Sequence, residues 1–202
     1  MKLSNNKKWT IWRVLFGTEA ELGKRVLPLF GLSMFMFMFA IGVGYYLGDS
    51  LPEDFLIDIL AQLPEPSDNF AVLIYRIVSN NVLVSAMLII SGIIFGLPPL
   101  LLILYNGFIV GWITFLAASE MGIGYTLMSL LPHGIIEIPT INFCAALGLG
   151  LGYELVNSFR KRGNIRLYLK NSVMLFLKRI IPFLVIAAIV ESALISLLLN
   201  SL

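Results

Sequence analysis

The sequence predicts an all-α, polytopic transmembrane helix bundle of about five spans, with short interfacial helices beside them. Hydrophobic residues fill 58% of its 202 positions and charged residues only 13%, against roughly a quarter charged in soluble domains. Thirteen of the fourteen Lys and Arg residues fall in two clusters, six between Lys2 and Arg25 and seven between Arg160 and Arg179, with Arg76 apart. Basic residues beside spans are retained on the cytoplasmic side, so both clusters mark one face. The apolar runs between them approach the ~20 residues that a helix needs to cross a bilayer.

The elements follow in order. Residues 1–26 hold a cytoplasmic interfacial helix, in which Trp9, Trp12 and Phe16 share one face and place their rings at the membrane boundary. The remainder, 27–202, is a single transmembrane domain. Span one, 27–47, begins too late and runs too long for a cleaved leader. It leaves through Tyr45 and Tyr46, an outer aromatic belt. Its alternating Met34–Phe39 stretch has period two, but the length of the run argues for a helix in lipid contact or in sulfur–aromatic packing.

The outer segment 48–69 is acidic, with Asp49, Glu53, Asp54, Asp58, Glu65 and Asp68. Pro52 opens a short helix to Leu63 whose Phe55, Leu56, Ile59 and Leu60 form an apolar stripe. Span two covers 70–96, with Arg76, Asn80 and Asn81 near its entry, and span three covers 99–118. The turn between them is Gly96-Leu97-Pro98-Pro99, and residues 82–119 carry no formal charge. Residues 121–131 are too short to cross and read as interfacial or re-entrant, with a sixth crossing there as the competing assignment. Span four, 132–152, opens on Pro132, a residue suited to the first helical position. A basic cytoplasmic segment, 153–179, then forms an amphipathic helix before span five, 180–199. This arrangement predicts a multi-pass protein of the cell membrane with a cytoplasmic N-terminus.

Lipid cannot solvate a charge, so polar groups within spans stand out. His133 and Glu137 are four apart and share a face of span four, Glu137 lying one turn, about 6 Å, deeper. Glu191 falls near the middle of span five, on a stripe with Ser192 and Ser196. Asn106 and Asn142 are amides at mid-bilayer height. Together His133, Glu137, Asn142, Glu191 and Asn106 make a candidate polar core, with Arg76 as counter-ion for Glu137. For the amides the plainer reading is interhelical hydrogen bonding, worth about 1 kcal/mol per bond in membranes. For the two carboxylates function is the default.

Small residues recur at spacing four: Gly44 and Gly48, Gly92 and Gly96, Gly107 and Gly111, and Cys144, Gly148 and Gly152. Such faces let helices approach closely. The set on span four, extended by Ala145, Ala146 and Gly150, places that helix at the centre or at a dimer seam.

Catalysis, metals and cofactors are not expected. One cysteine, Cys144, and one histidine rule out an internal disulfide and a Cys-based metal site, and zinc would need an all-carboxylate complement. Ser91-Gly92 lacks the preceding Gly of a nucleophile turn, and no Gly-rich phosphate loop ending in Lys is present. Nucleic acid is disfavoured because both basic clusters flank spans.

Five pieces carry a resemblance: Asn80-Asn81, Ser91-Gly92-Ile93-Ile94-Phe95-Gly96, Tyr105-Asn106-Gly107-Phe108-Ile109-Val110-Gly111, Leu131-Pro132-His133-Gly134-Ile135-Ile136-Glu137-Ile138-Pro139 and Ala187-Ala188-Ile189-Val190-Glu191-Ser192. In this order, over about residues 25–200, they resemble the stage II sporulation protein M family. The resemblance implies a multi-span protein that works by assembly; members in spore formers join peptidoglycan-degrading partners during engulfment, while most relatives occur in organisms that never sporulate. The expected function is a non-enzymatic membrane platform or permease-like subunit. It would sit in the lipid bilayer as a homodimer and join other membrane or envelope proteins, with the acidic outer segment as a docking surface. The alternative is a small transporter or channel in which Glu137 and Glu191 bind a proton, ion or polar head group. An intramembrane enzyme is a third reading.

Overall fold

The computed structural model describes residues 20–51 and 69–199, without the side chains of 20, 21, 129–133 and 194–199. The interfacial helix expected near the N-terminus, the short helix and acidic residues expected over 52–68, and the His133 side chain therefore lie outside the described residues.

Among these residues all regular structure is helical. In chain order it comprises α1 (Ala20–Leu47) with a 3-10 turn at Gly48–Ser50, α2 (Phe70–Ser91), α3 (Leu97–Met121), α4 (Ile123–Phe159) and α5 (Ile165–Leu175). A π-helical turn, Phe176–Ile180, joins α5 to α6 (Ile181–Leu199). Five stretches are long and apolar enough to cross a bilayer: Leu22–Ser50, Phe70–Ser91, Leu97–Met121, Gly134–Phe159 and Ile165–Ala193. The chain is an all-α, multi-pass membrane protein.

Local chemistry explains the helix boundaries. Asn69 caps α2 by accepting hydrogen bonds through Oδ1 from the N–H groups of Ala71 and Val72, at 3.0 and 3.3 Å. The α2–α3 turn needs left-handed backbone at Gly96, φ +74°, where a side chain would be strained. Pro98 then stands in the first turn of α3, where its missing N–H costs nothing.

Two elements differ from the sequence expectation. Residues 123–131 form no separate interfacial piece, because they are the first turns of α4, a single helix of 37 residues. Pro132, read as a helix start, lies inside it. Membrane helices tolerate interior proline, since neighbouring groups re-satisfy the freed carbonyls. The break falls instead at Gly122, whose φ of +83° and ψ of +147° belong to a region open essentially to glycine. The basic segment 153–179 likewise divides. Its first part, to Phe159, ends α4; after a turn, residues from Ile165 run on through the π turn into α6. Pro182 explains the π turn: it offers no N–H to the Lys178 carbonyl, and the Ile181 N–H reaches back five residues to Phe176.

Burial follows helical periodicity. On α1 the buried residues Val26, Ser33, Phe37, Ala40 and Gly44 form one stripe that continues to Gly48 in the turn, while Phe35, Met38 and Phe39 of the alternating stretch face outward. On α2 the stripe is Leu73, Ile77, Asn81, Ser85 and Leu88. α4 is the hub, packing against α1, α2, α3, α5 and α6. Its apolar window is 50% buried, against 22–33% for the other four, so α4 meets protein where the others meet lipid.

Candidate functional site

The centre of the bundle is closed by backbone meeting backbone. Cys144, Ala145, Ala146 and Leu147 of α4 are fully buried. A Cβ added at Gly92, the residue after α2, would fall on the Gly148 carbonyl, one at Gly148 on the Leu88 carbonyl, and one at Gly152 on the Gly96 amide. A second seam joins α1 to α3, where a Cβ at Gly107 would meet Phe37, one at Gly111 the Ile41 carbonyl, and one at Gly44 the Phe108 carbonyl. Without a hydrophobic drive between helices in lipid, such close contact is what holds them together. The small-residue face of α4 is thus occupied within the chain.

The polar residues divide by helix face. Asn142 is fully buried and turns towards α1, where the Ser33 hydroxyl donates to its Oδ1 at 2.7 Å. Its own Nδ2 donates to the Ile138 carbonyl at 2.9 Å. Glu137, 4% exposed, is five residues earlier and so about 140° away around the helix. Seven and eleven residues beyond Glu137 stand Cys144 and Gly148, which bring the helix back to nearly the same direction. Cys144 lies against Ser85 of α2, and Gly148 against Leu88. Glu137 therefore belongs to the face that α2 covers, in line with the buried stripe that includes Asn81 and Ser85.

Asn106, Glu191 and the expected counter-ion Arg76 complete the set. Asn106 is half-buried and donates through Nδ2 to the Leu102 carbonyl of its own helix at 2.9 Å. That bond is local and serves α3 alone. Arg76 and Glu191 are half-buried, and both have interaction partners.

The best-defined ionic site is one that sequence reasoning passed over. Glu154, near the end of α4, is buried; its Oε1 lies 3.5 Å from Nη1 of Arg25 on α1, and its Oε2 accepts the Asn164 N–H at 3.2 Å. Asn164 in turn caps α5 by accepting from the Leu167 N–H at 3.0 Å. A Cβ at Gly163 would stand 2.5 Å from the Glu154 carbonyl, so this turn also depends on glycine. One helix turn away, the Tyr168 hydroxyl lies over Gly150 and donates to the Leu147 carbonyl at 3.1 Å. The signal was present, an isolated acid at the end of a glycine-rich span and six residues before a basic run, but its partners are distant in sequence. At the opposite end the indole N–H of buried Trp112 donates to the Gly48 carbonyl at 3.2 Å, tying α3 to the end of α1.

Among the described residues no group of three or more His, Cys, Asp and Glu is placed to hold a metal ion. No curated protein and no solved structure matches this chain. The family model described as Stage II sporulation protein M matches residues 33–194, a stretch that includes most or all of each of the five membrane-length helices. On that match, over most of its length, the chain belongs to the stage II sporulation protein M family of membrane proteins.

Proposed function

We propose that the protein is a non-enzymatic membrane platform or permease-like subunit that assembles with partner proteins, its N-terminus in the cytoplasm. The observation that carries this reading is the close packing at the centre: the glycine contacts of α4 with α2, and the Ser33–Asn142 bond to α1, bring α4 directly against its neighbours. A body of this kind is suited to holding others in place. The acidic segment 48–69 offers partners a charged surface, and the chain pairs with a second copy through faces other than the small-residue face of α4. In this reading Glu137 is a structural member of the α2–α4 contact, with Arg76 as its counter-ion.

A second reading has one observation in its favour. Glu137 is almost wholly buried in a membrane-crossing helix, and intramembrane carboxylates commonly mark ion or proton paths. A small transporter would use Glu137 with Glu191 on a shared aqueous cavity. Reconstitution in sealed vesicles separates the two. A platform gives no flux of protons, ions or lipid above protein-free vesicles, and Glu137→Gln or Glu191→Gln weakens only assembly or stability. A flux that disappears in either variant establishes the transporter instead.

A further inference from the structure

The end of the bundle that carries Glu154 is strongly positive and built with unusual order for a loop. Arg160, Lys161 and Arg162 follow α4 directly, and all three are exposed, as is Arg166 in the first turn of α5. Their backbone is fixed: the N–H groups of Arg160 and Arg162 bond to the Asn157 carbonyl at 3.1 and 2.9 Å, and that of Lys161 to the Ser158 carbonyl at 2.9 Å. Lys161 adopts left-handed backbone, φ +57°, which turns the chain sharply and presents consecutive cations outward. Between residues 138 and 190 the only carboxylate is Glu154. It is buried and already engaged by Arg25 and the Asn164 N–H, so it neutralises none of the four.

Beside these cations lies an exposed aromatic pair. Phe159, the last residue of α4, stacks on Phe95 of the α2–α3 turn with ring centroids 6.5 Å apart and planes 27° apart. The two are 72% and 63% exposed, a cost in water that disappears against acyl chain. Cations immediately above an apolar step match one ligand chemistry, a phosphate joined to hydrocarbon. An acidic protein would satisfy the charges but leave the aromatic pair at the membrane boundary uncovered.

We infer that Arg160, Lys161, Arg162 and Arg166, with the Phe95–Phe159 pair below them, form a binding surface for anionic phospholipid headgroups. The surface does not depend on whether the protein is a platform or a transporter. Near an anionic bilayer each basic side chain contributes about 1 kcal/mol, or about fivefold in binding. Allowing for screening by salt, removal of three should cost more than about tenfold.

The test is retention of phosphatidylglycerol over phosphatidylcholine by the full chain, purified from an equal mixture of the two and counted by native mass spectrometry. The wild type is expected to retain phosphatidylglycerol selectively, and Arg160→Gln/Lys161→Gln/Arg162→Gln to lose that preference by more than about tenfold. Lys161→Gln/Arg166→Gln, which leaves two cations of the turn in place, should fall between them and serves if the triple variant does not fold. Excess inorganic phosphate should displace little lipid, because it lacks the apolar part. Equal retention by wild type and a folded variant overturns the inference. So does absence of any preference in the wild type, or complete displacement by inorganic phosphate.

Discussion

The two halves of α4 are built differently. From Cys144 to Gly152 it is tightly packed: Gly148 meets the Leu88 backbone of α2, Gly150 the Tyr168 side chain of α5 and Gly152 the α2–α3 turn, each so closely that a single methyl group would collide. Towards its start the two glycines of the same helix stand clear of other helices. A Cβ at Gly124 would find nothing within 4 Å, and one at Gly134 only the Ile138 side chain at 3.5 Å, an ordinary contact. Each half also buries a carboxylate. Glu154 sits in the second half with an ion pair and a backbone N–H; Glu137 lies in the first half, on the face turned to α2. The contrast separates two kinds of glycine within one helix: those near its end set the spacing of the bundle, and Gly124 and Gly134 have room for a side chain.

Substitutions sharpen that contrast. The largest effect is expected for Gly148→Val, which drives side-chain carbons into the Leu88 backbone and Pro99. Overpacking against rigid backbone should cost about 3 kcal/mol or more, read as loss of the folded species in detergent. Glu154→Ala should cost about 2 kcal/mol, because it leaves the Asn164 N–H without its acceptor and frays the start of α5; amide exchange at Asn164 to Tyr168 would report it. Ser33→Ala should cost about 1 kcal/mol, the usual worth of an interhelical bond in membranes, and a double-mutant cycle with Asn142→Ala should recover most of it as coupling. Arg25→Ala should fall below about 1 kcal/mol, since that guanidinium is 73% exposed and its pair is screened. Gly134→Ala, clear of other helices, should change stability by no more than about 0.5 kcal/mol, and in the favourable direction that helix propensity gives. If Gly134→Ala were as damaging as Gly148→Val, the distinction between the two kinds of glycine would fail.

Much of this architecture was legible before any coordinates. The charge clusters and apolar runs gave an all-α bundle of five crossing helices because bilayer thickness fixes helix length so tightly. Spacing-four glycines drew attention to Gly92, Gly148 and Gly152, where the backbone of α4 meets the end of α2 and the turn that follows it. Helix ends were harder. Pro132 carries a start signal in water, yet inside a membrane helix its lost hydrogen bond is absorbed, so α4 runs through it and breaks at Gly122. The polar site was harder still, since its partners come from remote segments. Ser33 lies 109 positions from Asn142, and Arg25 lies still further from Glu154. No periodicity in one helix records which neighbour it will face.

The central claim is that the core around α4 is closed to water, and the protein carries its own probe. Cys144 is the single cysteine, fully buried against Ser85 in the α2–α4 contact. Treatment of the membrane-embedded wild type with a small, water-soluble methanethiosulfonate should leave Cys144 unmodified until the protein is denatured, after which one adduct per chain should form. Rapid modification of the folded protein would mean that water reaches the middle of the bundle, and would contradict the closed core.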